Sequence, residues 1–367
     1  MRIGFLVNPI AGIGGRVGLK GSDGVLSEAL KRGGVPLSPI KARLFFKALD
    51  IYSLKNILFL TASGKMGEIY LNEKNIKHLV VYVTRSEDTN AVDTINTVKK
   101  FLENDVSLIV FVGGDGTARD ICSVVANKIP IIGIPAGVKV YSGVFGYTPA
   151  DVARLIEKFI SGEVQIVKRE IIDANEDLLR KGILKLRLYG YAKTISYLNL
   201  LQPTKTMYSG ESEEENKDGI AKYIFENIED DTLYIVGPGS TIKKICEYMG
   251  LYKDDLSVDI LLNKKIIDRN VDEKKILKYL EMYPKVKIIV TPIGRQGFIF
   301  GRGNQEISPL VLQRISKEDI IVVATRLKMN ELKSLRIDTG NIEIDKKFKG
   351  YIRVIVDYNE EKIVRIV

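Results

Sequence analysis

The 367-residue sequence is poor in the residues that many catalytic and metal sites need. Its single histidine, His78, is the only one that a Ser-His-Asp triad could use, and no GxSxG motif accompanies it. Cys122 and Cys246 are too few and too far apart for a disulfide framework or a zinc site. We interpret His78 as a surface residue and the cysteines as small core residues of a protein in a reducing cytoplasm.

Long hydrophobic runs and basic blocks are also missing. No apolar stretch reaches the ~18 residues of a membrane span, and the first strand runs into glycines instead of a signal-peptide core. The net charge of +9 comes from scattered Lys and Arg, without a nucleic-acid-binding motif. We therefore expect a small anionic ligand, with neither nucleic acid nor a membrane as partner. The acidic run 211–215 is interpreted as part of a solvated loop, 202–219.

Residues 106–121, VSLIVFVGGDGTARDI, carry the strongest functional signal. The apolar, largely β-branched run 107–112 predicts a strand buried on both faces of a parallel sheet. Gly113, Gly114 and Gly116 let the chain turn sharply and bring backbone amides close to a ligand. Thr117 is expected to cap the following helix. Amides at a helix N-terminus after a strand form a natural phosphate site.

Asp115 lies inside this turn, where a carboxylate conflicts with simple phosphate binding. The conflict disappears if a metal, a hydroxyl or a cation is bound as well. We predict that Asp115 is the catalytic residue and that Arg119, one helical turn further on, neutralises charge. The alternative is a tight turn in which Asp115 only caps the helix. No residues are predicted as dedicated metal ligands.

Four further segments contain candidate binding groups. The predicted strands 3–7, 129–134 and 233–236 each run into a glycine-containing turn, and the last of these turns precedes a helix. The segment 291–305 places two arginines among four glycines, where arginine gains little unless it meets an anion. The candidates are Asn8, Gly12, Gly14 and Gly15; Pro135, Gly137, Lys139 and Ser142; Gly237, Gly239, Ser240 and Thr241; and Arg295, Arg302 and Asn304.

Strands and helices alternate five times in about 160 residues, which predicts a doubly wound parallel sheet of the α/β class. The chain exceeds the size of a comfortable single core, so we expect two domains. These are a nucleotide-binding domain, 1–162, and a substrate-side domain of α+β or β-rich type, 163–367. The closing hairpin, 351–367, is expected in the second domain, with a return to the first as the alternative.

GGDGT after a strand resembles the motif shared by NAD kinases, diacylglycerol kinases, sphingosine kinases and 6-phosphofructokinases. Together with the N-P-x-A-G loop, PAGVK, GPGST and TPIGRQGFIFGRGNQEISP, it makes nearly the whole chain resemble the predicted ATP-NAD or polyphosphate-NAD kinases. That group is related to the X protein of acetoin catabolism. The resemblance implies a phosphofructokinase-like first domain and an active site between domains. It also implies ATP or polyphosphate as donor, Mg²⁺, and NAD as acceptor.

In that superfamily the glycines approach nucleotide phosphate, and the aspartate handles the acceptor hydroxyl or orders Mg²⁺. The lipid kinases have a P-x-G-T-x-N-D loop, but this chain has Val138 in place of the threonine and no Asn-Asp pair. A lipid or sugar kinase of the same superfamily stays an alternative, as does a non-catalytic dinucleotide sensor. The expected partners are a nucleotide donor and a small-molecule acceptor. A homo-oligomer is left open, because NAD kinases are commonly oligomeric.

Overall fold

The computed structural model describes residues 1–19, 26–84, 86, 89–137, 140–174, 186–197, 200–201 and 211–367. We call residues 1–201 the first half and residues 211–367 the second half. The first half contains a parallel five-stranded sheet with the order β3-β2-β1-β4-β5, so the predicted α/β class is confirmed. Its strands are β1 (Arg2–Val7), β2 (Leu58–Ala62), β3 (His78–Tyr82), β4 (Leu108–Gly113) and β5 (Ile131–Pro135).

Helices cover both faces of this sheet because its strands alternate between two apolar clusters. The helices are α1 (Leu26–Lys31), α2 (Ser38–Ala48), α3 (Glu68–Asn72), α4 (Ala91–Glu103), α5 (Asp115–Val125) and α6 (Pro149–Ile160). Phe5 packs under α2 and α6, while its neighbour Leu6 packs under α4 and α5. Helix α6 begins with Thr148 as N-cap and Pro149 at its first turn, which are typical residues for a helix start.

The strand order reverses direction between β1 and β4. The chain moves outward from β1 to β3 on one side and from β4 to β5 on the other. In open parallel sheets such a reversal leaves a crevice outside the carboxyl ends of the two strands, where ligands bind. Val7 pairs with Val112, so the loop after β1 and the GGDGT turn after β4 meet at this crevice.

A long antiparallel ribbon follows α6. It consists of β6 (Gln165–Ala174) and β7 (Leu186–Ser196), and it packs against α5 and β5. The carboxyl end of β6 therefore lies beside the helix that follows GGDGT.

The second half contains a seven-stranded sheet with the order β10-β9-β8-β11-β13-β15-β16, together with the short pair β12-β14. Strands β8, β11, β13 and β15 run parallel, and the outer strands are antiparallel to their neighbours. The strands are β8 (Leu233–Val236), β9 (Asp259–Leu262), β10 (Lys265–Asp268), β11 (Val286–Val290), β12 (Phe298–Phe300), β13 (Ile320–Val323), β14 (Arg336–Ile337), β15 (Gly350–Asp357) and β16 (Glu360–Ile366).

Helices also cover both faces of the second sheet. One face packs against α7 and α8, and the other against α9, α10 and α12. The helices of this half are α7 (Glu211–Asn227), α8 (Ser240–Tyr248), α9 (Glu273–Met282), α10 (Pro309–Gln313), α11 (Arg326–Glu331) and α12 (Ile342–Lys347).

The interpretation of the acidic run as a solvated loop is wrong, because residues 211–215 open α7. Glu213 is only 4% exposed, and one of its oxygens accepts a hydrogen bond of 2.7 Å from the Thr325 hydroxyl. Asn216 accepts a 2.8 Å bond from the backbone amide of Arg326. Glu213 and Asn216 are thus buried against the start of α11, a partner more than a hundred residues away that local composition cannot reveal, whereas Glu214 and Glu215 are exposed. Residues 202–210 of the predicted loop lie outside the described residues.

The two cysteines and the single histidine occupy ordinary structural positions. Cys246 is buried and Cys122 is partly buried, and both are free thiols. The ring of His78 is partly buried, with Nδ1 2.7 Å from the carbonyl oxygen of Ile76. Within the described ranges, no helix combines the length and the apolar character that crossing a membrane requires.

A buried cluster of three charges joins the halves. The Lys41 ammonium, on α2, donates to both the carboxylate and the carbonyl oxygen of Asp338. Arg302 donates to the other oxygen of that carboxylate at 3.2 Å and to the carbonyl oxygen of Tyr147. All three charged side chains are at most 6% exposed, and burial lowers the pKa of Arg302. One carboxylate therefore compensates two buried cations.

Replacing Asp338 by alanine should lower the free energy of unfolding by about 3–5 kcal/mol, because two buried cations lose their counter-charge. Urea unfolding monitored by circular dichroism measures this change. The matched control is Glu73→Ala, which breaks an ion pair with Arg43 whose side chains are 38% and 52% exposed. We expect that control to cost less than about 1 kcal/mol. Equal losses in the two variants would contradict the interpretation.

Candidate active site

The first side chain at the crevice is Asn8, directly after β1. Its backbone amide donates to the Val112 carbonyl at 2.9 Å, which fixes it beside the end of β4. Its side-chain amide donates to the Thr117 hydroxyl at 3.0 Å, and its side-chain oxygen accepts from the amide of Ile10 at 3.2 Å. Asn8 therefore ties the glycine loop to the first turn of α5.

The helix after GGDGT begins earlier than the sequence suggests. Asp115 is its first residue and Gly114 is the N-cap, so the prediction that Thr117 caps the helix is wrong. The Thr117 hydroxyl instead bonds Asn8. A Cβ on Gly113 would lie 2.5 Å from that hydroxyl, so a larger residue there would disturb the contact. Without a side-chain cap, the first amides of α5 have no partner inside the helix and suit an anion.

The glycine turns after β1, β4 and β5 meet at one place. Gly12 has a φ of +80°, and a Cβ there would lie 2.3 Å from the Ala136 carbonyl oxygen. The amides of Ala136 and Gly137 both donate to the Gly113 carbonyl, at 2.9 and 3.3 Å. Pro135 pairs with Gly113 across the two strand ends. The structure thus brings together three motifs that are far apart in the sequence.

A segment of the second half covers these turns. A Cβ on Gly15 would lie 1.6 Å from the side-chain oxygen of Gln305, so the loop and this glutamine are in direct contact. The carbonyl of the neighbouring Gly14 accepts a 2.9 Å bond from the Leu19 amide. A cavity of about 10 Å³ beside Arg16 and Gln305 leaves room for about one water molecule. Gln305 of the second half therefore lies against the glycine loop after β1.

The carboxylate of Asp115 is held by two backbone amides that follow the turn after β5. One oxygen accepts a 2.7 Å bond from the Tyr141 amide and the other a 2.8 Å bond from the Ser142 amide. The residue is 5% exposed. Burial raises the pKa of Asp115 to about 7, the hydrogen bonds from Ser142 and Tyr141 oppose the rise, and the charge of Asp173 adds to it. This carboxyl group can therefore gain or lose a proton near neutral pH.

Asp173 is a site residue that the sequence analysis missed. It stands near the end of β6 with a side chain 14% exposed, and it accepts a 2.7 Å bond from Arg119. The predicted cation Arg119 is therefore paired with a second carboxylate close enough to influence Asp115. The only sequence signal was an acidic residue at the end of an alternating strand, which is common at the protein surface.

Several other candidates lie in the interface between the halves. Arg302 is engaged by Asp338 and by the Tyr147 carbonyl, with its guanidinium carbon 4.2 Å from the centre of the Phe298 ring. Asn304 is 1% exposed and its side-chain amide donates to the Ile299 carbonyl at 2.8 Å. Phosphate contacts from these two side chains stay predictions. Lys139 and the side chain of Arg295 lie outside the described part of the chain.

The predicted turn at 237–241 belongs to the second sheet. Gly239 is the N-cap of α8, and its amide donates to the Asp255 carbonyl at 2.7 Å. Thr291, after β11, lies against it, and the buried ammonium of Lys328 donates to the Thr291 hydroxyl at 3.4 Å. The structure therefore groups Gly237, Gly239, Ser240 and Thr241 with the carboxyl ends of β8 and β11.

Replacing Asp115 by asparagine should change how stability depends on pH. A pKa of about 7 in the folded chain, against about 3.9 when unfolded, means that the folded protein binds this proton more tightly. The carboxyl group of Asp115 therefore stabilises the fold below about pH 4, and this stabilisation is lost as the pH rises to about 7. Above that pH its contribution to the free energy of unfolding no longer changes.

The free energy of unfolding of Asp115→Asn minus that of the native chain should therefore rise by at least about 2 kcal/mol between pH 4.5 and 7.5. Urea unfolding at both pH values measures it, and titrations shared by the two proteins cancel. A difference independent of pH would show that Asp115 keeps an ordinary pKa.

Residues 3–164 match the ATP-NAD kinase N-terminal domain and residues 229–366 match the ATP-NAD kinase C-terminal domain. No curated protein sequence matches the chain. The UDP-GlcNAc 2-epimerase structure from Methanocaldococcus jannaschii is 14% identical over 95% of this chain and 81% of that one. Its TM-score of 0.20 is too low to bear on fold or function. The two family matches establish that the chain belongs to the NAD kinase family and is a phosphotransferase with an alcohol acceptor.

Proposed function

We propose that the protein transfers a phosphoryl group from ATP or polyphosphate to a hydroxyl of NAD or NADH, with Asp115 as the proton acceptor. The observation that carries the proposal is the meeting of three glycine turns around one carboxylate of raised pKa, at the reversal of strand order. The family matches support a nucleotide kinase with NAD as the acceptor. The choice of donor and the residue roles are our proposal.

Phosphoryl transfer is catalysed mainly by positioning and by stabilising negative charge on the transferred group. The amides of Gly113–Thr117 would hold the donor phosphates, because the first N–H groups of α5 point out of the helix end. A carboxylate has about four acceptor sites, and two of those of Asp115 take backbone amides. In the proposed mechanism, one of the remaining sites accepts the hydrogen bond of the attacking hydroxyl.

Mg²⁺ fits this site only as part of the nucleotide. Among the described residues, no group of three or more metal-ligating side chains is arranged to hold an ion. Phosphate oxygens are natural ligands of Mg²⁺, which when bound neutralises their charge. In the proposed mechanism Asp115 acts as a base and not as a metal ligand.

The alternatives differ in what they require of Asp115 and of the acceptor. A dinucleotide sensor needs the glycine turns but gains nothing from a carboxyl group whose pKa lies near 7. A lipid or sugar kinase needs the same carboxyl group and differs only in the acceptor.

We also propose the boundary between nucleotide-binding and substrate-side domains near residue 162, where α6 ends, and a cytoplasmic location.

Asp115→Asn should reduce phosphoryl transfer by about 10²–10⁴-fold, because general-base assistance is lost. The assay offers radiolabelled ATP or polyphosphate with NAD, NADH, lipids and sugars as acceptors. The matched control is Asp105→Asn, at an exposed turn before β4, where a φ of +51° suits asparagine. It should keep full activity. Unchanged turnover in Asp115→Asn would discard the catalytic assignment, and transfer only to lipid or sugar would discard the acceptor.

The value of kcat/KM should also rise with pH across neutrality. Since the ionised form of Asp115 accepts the proton and its pKa in the ligand-free protein is about 7, kcat/KM should be half-maximal near pH 7 on the acidic side. Initial rates at substrate concentrations well below KM, between about pH 5.5 and 8.5, measure this. A rate that is already constant above about pH 5 would mean that a group of ordinary carboxyl pKa, or none, limits turnover.

A further inference from the structure

The position of Asp115 depends on a segment outside its own motif. Both of its oxygens are bound by the segment 140–142, through the amides of Tyr141 and Ser142. The turn and helix that carry Asp115 fix its backbone, but these two amides fix the plane of the carboxylate. Whatever holds the segment 140–142 therefore also orients the proposed proton acceptor.

The first half holds one side of this segment. The Ser142 hydroxyl donates to the Ile172 carbonyl at 2.9 Å and accepts from the Ile172 amide at 3.0 Å. Next to it, the Gly143 amide donates to the Glu170 carbonyl at 3.0 Å. Strand β6 thus anchors the carboxyl side of the segment by hydrogen bonds, and its Ala174 also packs with the ring of Tyr141.

The second half holds the other side through two side chains. The side-chain amide of Gln296 donates to the Val140 carbonyl at 3.0 Å, and Gln296 is only 2% exposed. The ring of Tyr141 is buried in a small apolar cluster that includes Leu256. Both contacts reach across from the second half to residues next to the amides that bind Asp115.

Both side chains are presented by rigid turns. Gln296 ends a single 3₁₀ turn that is closed by Gly297 in the left-handed conformation. Leu256 lies in a loop braced by the fully buried Lys253, whose ammonium donates to the Ser257 carbonyl at 2.8 Å and to Asp259 at 3.1 Å. Such bracing is what the precise placement of a neighbouring segment requires.

We propose that Gln296 and Leu256 are positioning residues, through which docking of the second half onto segment 140–142 orients the carboxylate of Asp115. The proposal rests on the proposed function of Asp115 as proton acceptor. It means that the carboxylate of Asp115 has its catalytic orientation only when the two halves are in contact. Neither residue need touch the substrate.

Among the described residues, the charged and titratable groups that act on Asp115 lie on β6, on α5 and on segment 140–142 itself. Asp173 on β6 raises the pKa of Asp115, and Arg119 on α5 is paired with Asp173. The Tyr141 hydroxyl, on the segment itself, is kept protonated by burial, which raises its pKa. Gln296 and Leu256 carry no charge, so their replacement acts on Asp115 through the two backbone amides.

The test compares Gln296→Met, which removes the donor but keeps the volume, with Asn216→Leu. Asn216 is also a buried amide of the second half that donates to a backbone carbonyl, that of Val356, but it contacts neither Asp115 nor segment 140–142. Leu256→Ala is a second, independent variant. The readouts are kcat, KM for the nucleotide, and the pKa of Asp115 from ¹³C NMR of aspartate-labelled protein without substrate, assigned with Asp115→Asn.

We expect Gln296→Met to lower kcat about tenfold with KM within about twofold, because orientation and not binding is lost. The pKa of Asp115 should rise by about one pH unit, since weaker amide bonds favour the protonated form. Leu256→Ala should lower kcat in the same way. If Gln296→Met does not fold, the kcat of Leu256→Ala shows whether contact with the second half orients Asp115. Asn216→Leu should change neither kcat nor the pKa.

An unchanged pKa and kcat in folded Gln296→Met would overturn the proposal, as would an equal loss of kcat in Asn216→Leu. If the native protein phosphorylates no acceptor, the proposed function fails, but the pKa measured without substrate still decides whether Gln296 orients Asp115. The two failures are therefore distinguishable.

Discussion

Two backbone N–H groups, those of Tyr141 and Ser142, make it tolerable to bury the carboxylate of Asp115 at the head of α5. Burial alone would favour the neutral acid, and hydrogen bonds from the side chain and amide of Ser142 and from the amide of Tyr141 oppose it, so the pKa settles at about 7. The balance also leaves the first amides of α5 for another anion. The GGDGT turn can therefore contain both a phosphate-binding backbone and a proton acceptor.

This arrangement depends on where the sheet reverses its order. Because β1 and β4 are neighbours, Asn8 and the GGDGT turn meet without long loops, and the turn after β5 closes the third side. The second half then lies over the turns through Gln305 and Gln296. The site is thus built from strand ends of the first sheet and completed by segments that follow strands of the second.

Features set by neighbouring residues were predictable from the sequence. The strands of the first sheet and the start of α6 at Thr148–Pro149 follow from local pattern, and the motif identified the family correctly. The errors arose where a distant partner overrides a local rule. Thr117 bonds Asn8 instead of capping a helix, and the acidic run opens a helix in which Glu213 is buried against α11. No local pattern shows that Gln296 would reach Val140, because that contact exists only after both halves fold.

The buried ion pair between Lys41 and Asp338 spans 297 positions of the sequence. A ribosome therefore releases the complete first sheet long before the counter-charge of Lys41 exists. Until then the lysine must stay hydrated or be shielded, and segment 140–142 has only one of its two supports. A nascent chain could hold a native-like first sheet, yet the proposed catalytic centre would gain its second support only after Gln296 has been synthesised.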